Sequence, residues 1–182
     1  MDIDSEVLSK ARELLPAGKF WTANIYSREN LPVHRFDLVF MNGVNYLFPE
    51  YERWLLNLTS LCRGTAYVFG IFNPEDLDVR ATVQRAGDFN WSIPWNLISQ
   101  KSIGLFLDSL GIPYRFHKWE VPVDIPRVNP DPMRCWTLIT QDGHRLQING
   151  LQIIHALAVL ELHVDDTLLF KRKPRQESKN GT

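Results

Sequence analysis

The sequence predicts a layered α/β fold within one domain. Apolar residues recur at the spacing of an amphipathic helix in three segments, which predicts three helices packed on a core. Compact, mostly apolar runs at residues 36–41 and 66–72 are typical of strands covered on both faces. Over the first 72 residues the expected helices and strands alternate. This alternation favours the α/β class over all-helical and all-β folds.

Length and composition limit the classes of function. A chain of 182 residues has the size of one ordinary domain, and we expect that domain over residues 1–170, followed by a disordered basic tail over residues 171–182. The net charge of -1 argues against binding of nucleic acid or anionic membranes through bulk charge. Two cysteines are too few for a disulfide framework or a zinc site. No apolar run has membrane-spanning length and no basic leader opens the chain, so we expect a cytoplasmic protein.

The first half of the chain is expected to hold two helices and three strands. Asp4 or Ser5 caps the first helix, because either side chain can accept a hydrogen bond from a free backbone N–H group of the first turn. Gly64 is expected to end the second helix. In order, these elements are a helix with apolar positions between residues 7 and 15, a short strand over 19–25, a strand over 36–41, a helix over 51–62 and a strand over 66–72.

The second half is less regular. Its clearest signal is Asp142-Gly143, which predicts a tight hairpin turn. Residues 152–164 fit a helix or a strand equally well. In order, the other expected elements are a short helix over 74–85, a helix over 99–110 ended by Gly111, a strand over 114–121, a proline-rich connection over 122–132 and hairpin strands over 136–140 and 145–148.

Several segments in a fixed order carry a family resemblance. Residues 2–12 read DIDSEVLSKAR, similar to the pattern D-I-S-x-E-x-L-x-x-A-R. Residues 20–32 have the length of a strand and its loop, residues 36–39 read FDLV, and residues 42–47 read NGVNYL, similar to G-V-L-x-[HY]-L. In this order and spacing the chain resembles the class I S-adenosylmethionine (SAM)-dependent methyltransferases, well over about residues 2–72 and moderately over residues 96–160.

The resemblance implies a Rossmann-like, mostly parallel sheet flanked by helices, with an antiparallel C-terminal hairpin. The sequence also departs from the family pattern at its N-terminus. The family's first strand ends in a glycine-rich turn, G-x-G-x-G, about 20 residues before the acid that binds the ribose. That acid would be Asp2, so we expect the first strand and its turn to be absent and the fold to be truncated at the N-terminus.

The resemblance assigns the cofactor, SAM, to four residues near the N-terminus. Asp2 would accept hydrogen bonds from the ribose hydroxyls and Ile3 would pack on the adenine. Asn24, where the family has Asp, would receive the adenine amino group, and Ile25 would add a backbone contact. The alternatives are a helix-start charge for Asp2, core packing for Ile3 and a turn for Asn24.

Asn42 and Gly43 follow a predicted strand, at the edge where open α/β sheets bind ligands. The resemblance implies that they line the methyl-transfer end of the cofactor, with Tyr46 above it. The alternatives are that Asn-Gly only ends the strand and that Tyr46 packs against a helix. We expect Asp2, Asn24 and the Asn42–Gly43 corner to lie side by side along one rim of the sheet.

The acceptor side is defined only weakly. Trp91, Trp95 and Asn96 follow the position of the fifth family strand and would form a wall for a small molecule. The competing interpretation is that these tryptophans cover the core. His117 is a weak candidate for a general base, although a lone histidine in a strand is more often structural. No histidine has partners at metal-ligand spacing, so no metal is expected.

The predicted function is therefore methyl transfer from SAM to a small-molecule acceptor, by a methyltransferase or a fragment of one. An alternative is a non-catalytic remnant that lost SAM binding and acts as a binding or scaffold module. In that case a homodimer, or a missing N-terminal segment, would complete the sheet. An unrelated α/β enzyme, such as a nucleotide-sugar enzyme, is disfavoured because no phosphate-binding loop is present.

Overall fold

The computed structural model describes residues 1–128, 131–151 and 153–165. The tail predicted for residues 171–182 and the domain limit at residue 170 lie outside these ranges. The elements are α1 (Ser5–Leu14), β1 (Phe36–Asn42), a 3-10 helix (Asn45–Leu47), α2 (Tyr51–Leu61), β2 (Cys62–Ile71), β3 (Val79–Arg85), β4 (Asp88–Leu97), α3 (Gln100–Ser109), β5 (Tyr114–Lys118), β6 (Trp136–Ile139), β7 (Arg145–Ile148) and β8 (Leu157–His163).

A four-stranded sheet in the order β1-β2-β8-β5 forms the centre of the molecule. β1 pairs with β2 in parallel, whereas β8 runs antiparallel to both of its neighbours, β2 and β5. Three of the four strands therefore point the same way, and β8 is the exception. The predicted α/β class, with a central sheet, flanking helices and a separate antiparallel hairpin made by β6 and β7, is confirmed, and the pairings of the central sheet are mixed.

β8 also resolves the segment that periodicity left undecided. Along this strand Ala158, Leu160 and Leu162 are buried, while the residues between them are only half-buried. A period of two belongs to a strand. The segment pairs with two neighbours at once, and this pairing selects the strand over the helix.

Two helices, α2 and α3, cover one face of the sheet. Trp54, Leu55 and Leu58 of α2 and Ile103 and Leu107 of α3 are each at most 2% exposed and belong to one core cluster with the buried residues of β2 and β8. The amphipathic stripes predicted for these two helices therefore bury the faces expected of them. The stripe predicted for α1 does not, because only Leu8 is buried there and Val7 and Leu14 are exposed. Within the described ranges, no helix combines the length and apolar character needed to cross a bilayer.

The N-terminal segment forms a small unit beside the sheet. The Asp4 side chain caps α1 by accepting hydrogen bonds from the backbone N–H groups of Glu6 and Val7, as predicted. The strand predicted over residues 19–25 is too long, because only Thr22 is paired, in a parallel bridge with Asp2. A short stretch with one partner residue gains too few ladder hydrogen bonds to extend further.

Two local predictions were wrong. The helix predicted over residues 74–85 is instead the strand β3, which pairs with β4. The alternation of Val79, Ala81 and Val83 with polar residues was the signal for a strand. Gly64 does not end α2 but lies inside β2, where an added Cβ would meet the backbone oxygen of Asp37 at 2.4 Å. Glycine is needed there for close approach of β1 and not for a turn.

The remaining turn predictions hold. Gly143 has φ +85 and its N–H group donates to the carbonyl of Thr140 at 3.0 Å, which closes the β6–β7 hairpin. Ser99 caps α3 by accepting from the N–H group of Ser102 at 2.9 Å, and Gly111 follows this helix with φ +67. Positions 111 and 143 favour glycine because other residues rarely adopt positive φ.

Candidate functional site

The carboxyl ends of the parallel strands β1 and β2 define one rim of the sheet. Gly43 follows β1 with φ +66, and its N–H group donates to the carbonyl of Phe69 at 2.9 Å. An added Cβ on Gly43 would meet no atom within 4 Å, and Asn42 beside it is exposed. The corner predicted to face the methyl-transfer end of a cofactor is therefore open at the surface.

The backbone of Asp2 forms a parallel bridge with Thr22, two residues before Asn24. Its N–H group donates to the carbonyl of Trp21 at 3.2 Å, and its own carbonyl accepts from Ala23 at 2.9 Å. The Asp2 carboxylate is exposed and accepts a hydrogen bond from the N–H group of Asp4 at 3.0 Å. Ile3 is 68% exposed, so core packing does not explain this side chain.

Asn24 and Ile25 sit at a turn that is anchored to α2. The Asn24 side-chain oxygen accepts from the N–H group of Tyr26 at 2.8 Å, which is the turn role considered as its alternative. Ile25 is buried, and its carbonyl accepts from the Asn57 side chain at 2.6 Å. Ile25 also shares a core cluster with Met41 of β1. Asp2 and Asn24 are thus brought together, and the turn is tied to the core beneath β1.

The half-buried Tyr46 and two of the three wall candidates, the buried Trp95 and Asn96, form one group. The rings of Tyr46 and Trp95 lie 4.4 Å apart, and the Asn96 amide donates to the carbonyls of Tyr46 and Phe48 at 3.2 and 3.1 Å. Burial raises the pKa of Tyr46. Trp95 and Asn96 are only 2% and 3% exposed, so they act as core residues that hold the β3–β4 hairpin against the 3-10 helix.

Trp91 does not join this group. It lies near the start of β4, close to the hairpin turn, where the Arg85 guanidinium stacks over its ring at 4.5 Å. Trp91, Trp95 and Asn96 were predicted as one wall because they are close in sequence. Trp91 and Trp95 have the same parity along β4, but four residues of an extended strand span about 13 Å, so Trp91 lies toward the tip of the hairpin and away from the group around Tyr46.

His117 has a partner that the sequence did not indicate. Its Nε2 lies 2.7 Å from Oε2 of Glu161 on the neighbouring strand β8. Glu161 also lies near Nε2 of His163 at 3.3 Å and accepts from the Tyr67 hydroxyl at 3.4 Å. The hydrogen bond with His117 is the main cause of the lowered pKa of Glu161. In the described part of the chain, no group of three or more histidine, cysteine or acidic residues is arranged to hold a metal ion.

A cavity of about 770 Å³ lies between the β6–β7 hairpin and the ends of β5 and β8. Gln147 and His155 line it, each 9% exposed, together with the exposed ring of Trp119. Sequence reasoning missed this cavity. The available signal was a pair of polar residues, Gln147 and His155, placed among apolar ones. The two residues meet through a local antiparallel bridge between Ile148 and Ile154, whereas the cavity itself forms where the hairpin packs on the sheet.

No protein-family model and no curated protein sequence matches the chain significantly. Several solved structures do. One is a SAM-dependent methyltransferase from Clostridium acetobutylicum ATCC 824, with 6% identity and a TM-score of 0.54, matched over 90% of this chain and 73% of that one. Another is a complex described as DhpI-SAM-HEP, with 13% identity, a TM-score of 0.49, and coverage of 86% and 62%. A third is the Burkholderia thailandensis 1,6-didemethyltoxoflavin-N1-methyltransferase, with 12% identity, a TM-score of 0.48, and coverage of 89% and 57%.

The chain therefore spans less than two thirds of the length of two of these structures. At such low identity the similarity concerns the arrangement of helices and strands. The C. acetobutylicum structure has the highest TM-score of the three and matches most of this chain. The chain thus has the fold of the class I SAM-dependent methyltransferases, and the resemblance found in its sequence is confirmed at the level of the fold.

Proposed function

We propose that the chain takes part in methyl transfer from SAM to a small-molecule acceptor. The observation that carries the proposal is the match of nine tenths of the chain to the fold of a SAM-dependent methyltransferase. Support comes from the rim of the sheet, where polar residues and an open glycine corner follow β1. Open α/β sheets bind ligands at this edge.

The cofactor fits the described residues in part. The exposed Asp2 carboxylate and the open Gly43 corner can receive a ligand, whereas the Asn24 oxygen and the Ile25 carbonyl already accept hydrogen bonds within the chain. We assign the ribose to Asp2 and the adenine to Ile3, Asn24 and Ile25. Asn42 and Gly43 would border the methionine end.

SAM supplies a methyl group that its positively charged sulfur already activates. The chain needs no covalent nucleophile for such a transfer. Its residues would hold and align the acceptor, and alignment of two reactants can contribute about 7–11 kcal/mol. The apolar rings of Tyr46 and Trp95 would exclude water from the acceptor side, and His117, oriented by Glu161, is the candidate to take up a proton.

Isothermal titration calorimetry with SAM and with S-adenosylhomocysteine tests the proposal. Saturable micromolar binding by the 182-residue chain is expected. The substitution Asp2→Ala should weaken it about 10- to 100-fold, because a charge-assisted hydrogen bond contributes about 1.5–3 kcal/mol. Asp88→Ala, at an exposed position on β4, is the control and should bind normally. Absence of binding to both compounds would contradict the proposal for this chain.

A second candidate function, a non-catalytic binding module, is favoured by one observation. β1 lies at the edge of the central sheet, and Leu38 and Phe40 on it are 52% and 70% exposed. Among the described residues β1 forms a ladder only with β2, so its outer edge is open to another strand. We propose that a second copy, or a strand supplied by a further segment, pairs with β1.

Light scattering coupled to size-exclusion chromatography tests whether a second copy of the chain pairs with the outer edge of β1. If a second copy pairs there, the chain is a dimer, and Phe40→Lys should shift it to a monomer because a charge at an edge opposes strand pairing. Leu77→Lys, at another exposed apolar position, is the control. A dimer unaffected by Phe40→Lys would exclude the edge as the contact.

A further inference from the structure

The cavity beside the β6–β7 hairpin has the size and lining of a ligand site. Its volume of about 770 Å³ is within the range of pockets that hold small molecules, about 300–1,000 Å³. Aromatic and aliphatic side chains form a large part of its wall, and seven polar or charged side chains also line it. The apolar part of the lining includes Phe116, Trp119, Leu146, Ile154 and Leu157. Such a wall suits a planar, mostly apolar ring.

The charged groups around the cavity are paired with one another. Lys118 contacts Glu120 at 2.6 Å, and both belong to the wall. Arg145, also in the wall, contacts the Asp124 carboxylate through Nε at 2.8 Å and through a second nitrogen at 2.7 Å. Opposite charges therefore balance locally, and the wall offers no excess charge for an ionic ligand. This balance favours an uncharged ligand.

Gln147 presents a buried acceptor that no described residue uses. Its side-chain nitrogen donates to the Thr137 hydroxyl at 2.9 Å, which holds the amide in place. Its Oε1 is buried and has no hydrogen-bond partner. A buried polar atom without a partner is costly, so the group gains from a ligand that donates to it.

His155 lies beside Gln147 and carries a second such atom. The backbone N–H group of His155 donates to the Gln147 carbonyl at 2.7 Å, so the two side chains share one wall. Nε2 of His155 is buried without a partner. Burial lowers the pKa of this histidine, which favours the neutral ring and leaves each ring nitrogen as either a donor or an acceptor.

The cavity is connected to the rim by ring contacts. The His155 ring lies 5.8 Å from the Trp95 ring, which in turn lies 4.4 Å from Tyr46. Tyr46 follows the Gly43 corner by three residues. The cavity is therefore a neighbour of the corner to which the methyl-transfer end was assigned.

We infer that this cavity binds an uncharged planar ring compound that donates an N–H group to Gln147. Both unpaired atoms are closed off from solvent, so a ligand reaches them when the side chains that cover them change rotamer, which is common on binding.

The test uses 2-pyridone, a neutral ring with an N–H group next to a carbonyl, and 1-methyl-2-pyridone, in which a methyl group replaces that hydrogen. The full chain is titrated with each compound and observed by NMR at the Gln147 side-chain amide and the His155 ring. We expect 2-pyridone to shift both signals and to bind about fivefold or more tightly than its methylated analogue, because the analogue cannot donate the hydrogen bond.

Two variants provide an independent check. Gln147→Met keeps the volume of the side chain and removes the acceptor, so it should abolish the preference between the two compounds. Gln100→Met, on the other side of the same cavity, should leave that preference unchanged. Equal binding of both compounds to the wild-type chain, shifts confined to other residues, or no binding overturns the inference. SAM is absent from the titration, so a failure here is distinct from a failure of SAM binding.

Discussion

The amide of Asn96 allows a quantitative test of how the β3–β4 hairpin is held to the rim. This side chain is 3% exposed and donates from one nitrogen to two carbonyls, those of Tyr46 and Phe48. The substitution Asn96→Asp keeps the shape and replaces the donor with an acceptor. Each lost hydrogen bond contributes about 0.5–1.5 kcal/mol, and each buried group left unpaired costs about 1–3 kcal/mol. We expect the free energy of unfolding to fall by about 2–4 kcal/mol.

Urea denaturation and thermal unfolding measure this loss. For a chain of this size the expected loss lowers Tm by about 4–16 °C. Asn90→Asp is the matched control, because Asn90 lies on the same strand and is exposed, and its change should stay within about 0.5 kcal/mol. The penalty at residue 96 should shrink in acid, where the introduced carboxyl is protonated and can donate again. Equal stability of the two variants would refute the assignment of Asn96 as a buried anchor.

Three further predictions concern the sheet and its histidines. Gly64→Ala should destabilise the chain by about 1–3 kcal/mol in urea denaturation, because the new Cβ would lie 2.4 Å from the Asp37 backbone oxygen; an unchanged midpoint would contradict this close approach. Burial lowers the pKa of His155, so the unfolded chain binds a proton at this residue more readily than the folded chain does. The free energy of unfolding should therefore fall as the pH drops below about 6.5, and His155→Leu should flatten that pH dependence. His117→Leu should raise the pKa of Glu161, measured by carbon NMR, because the main cause of its lowering is lost.

The fold was predictable where local signals and packing agree. α2 shows a complete apolar stripe in the sequence and buries it, and the cap at Asp4 and the turn at Gly143 follow from single residues. The helix predicted in place of β3 shows the limit. Its alternation was present, and its partner β4 begins after only two further residues, but the hairpin turn between them was not recognised in the sequence. A strand gains most of its stability from such a partner.

The candidate site was predictable only along the rim. The polar residues that follow β1 were assigned to the site because strand ends bind ligands in this class of fold, and this assignment stays a prediction. Glu161 as the partner of His117 was not found, since the two residues are 44 positions apart and meet only through the pairing of β5 with β8. The tryptophans were assigned to an acceptor wall, yet Trp95 packs in the core.

The sequence by itself determined the α/β class, the family resemblance and the positions of caps and turns, because these depend on residues close together in the chain. Tertiary structure decided which polar side chains are buried without partners and where the cavity lies. Gln147 and His155 meet through a local antiparallel bridge between Ile148 and Ile154, but the cavity that they line forms only where the β6–β7 hairpin packs against the ends of β5 and β8. Burial and pairing depend on all the surrounding segments at once, so no local pattern in the sequence encodes them.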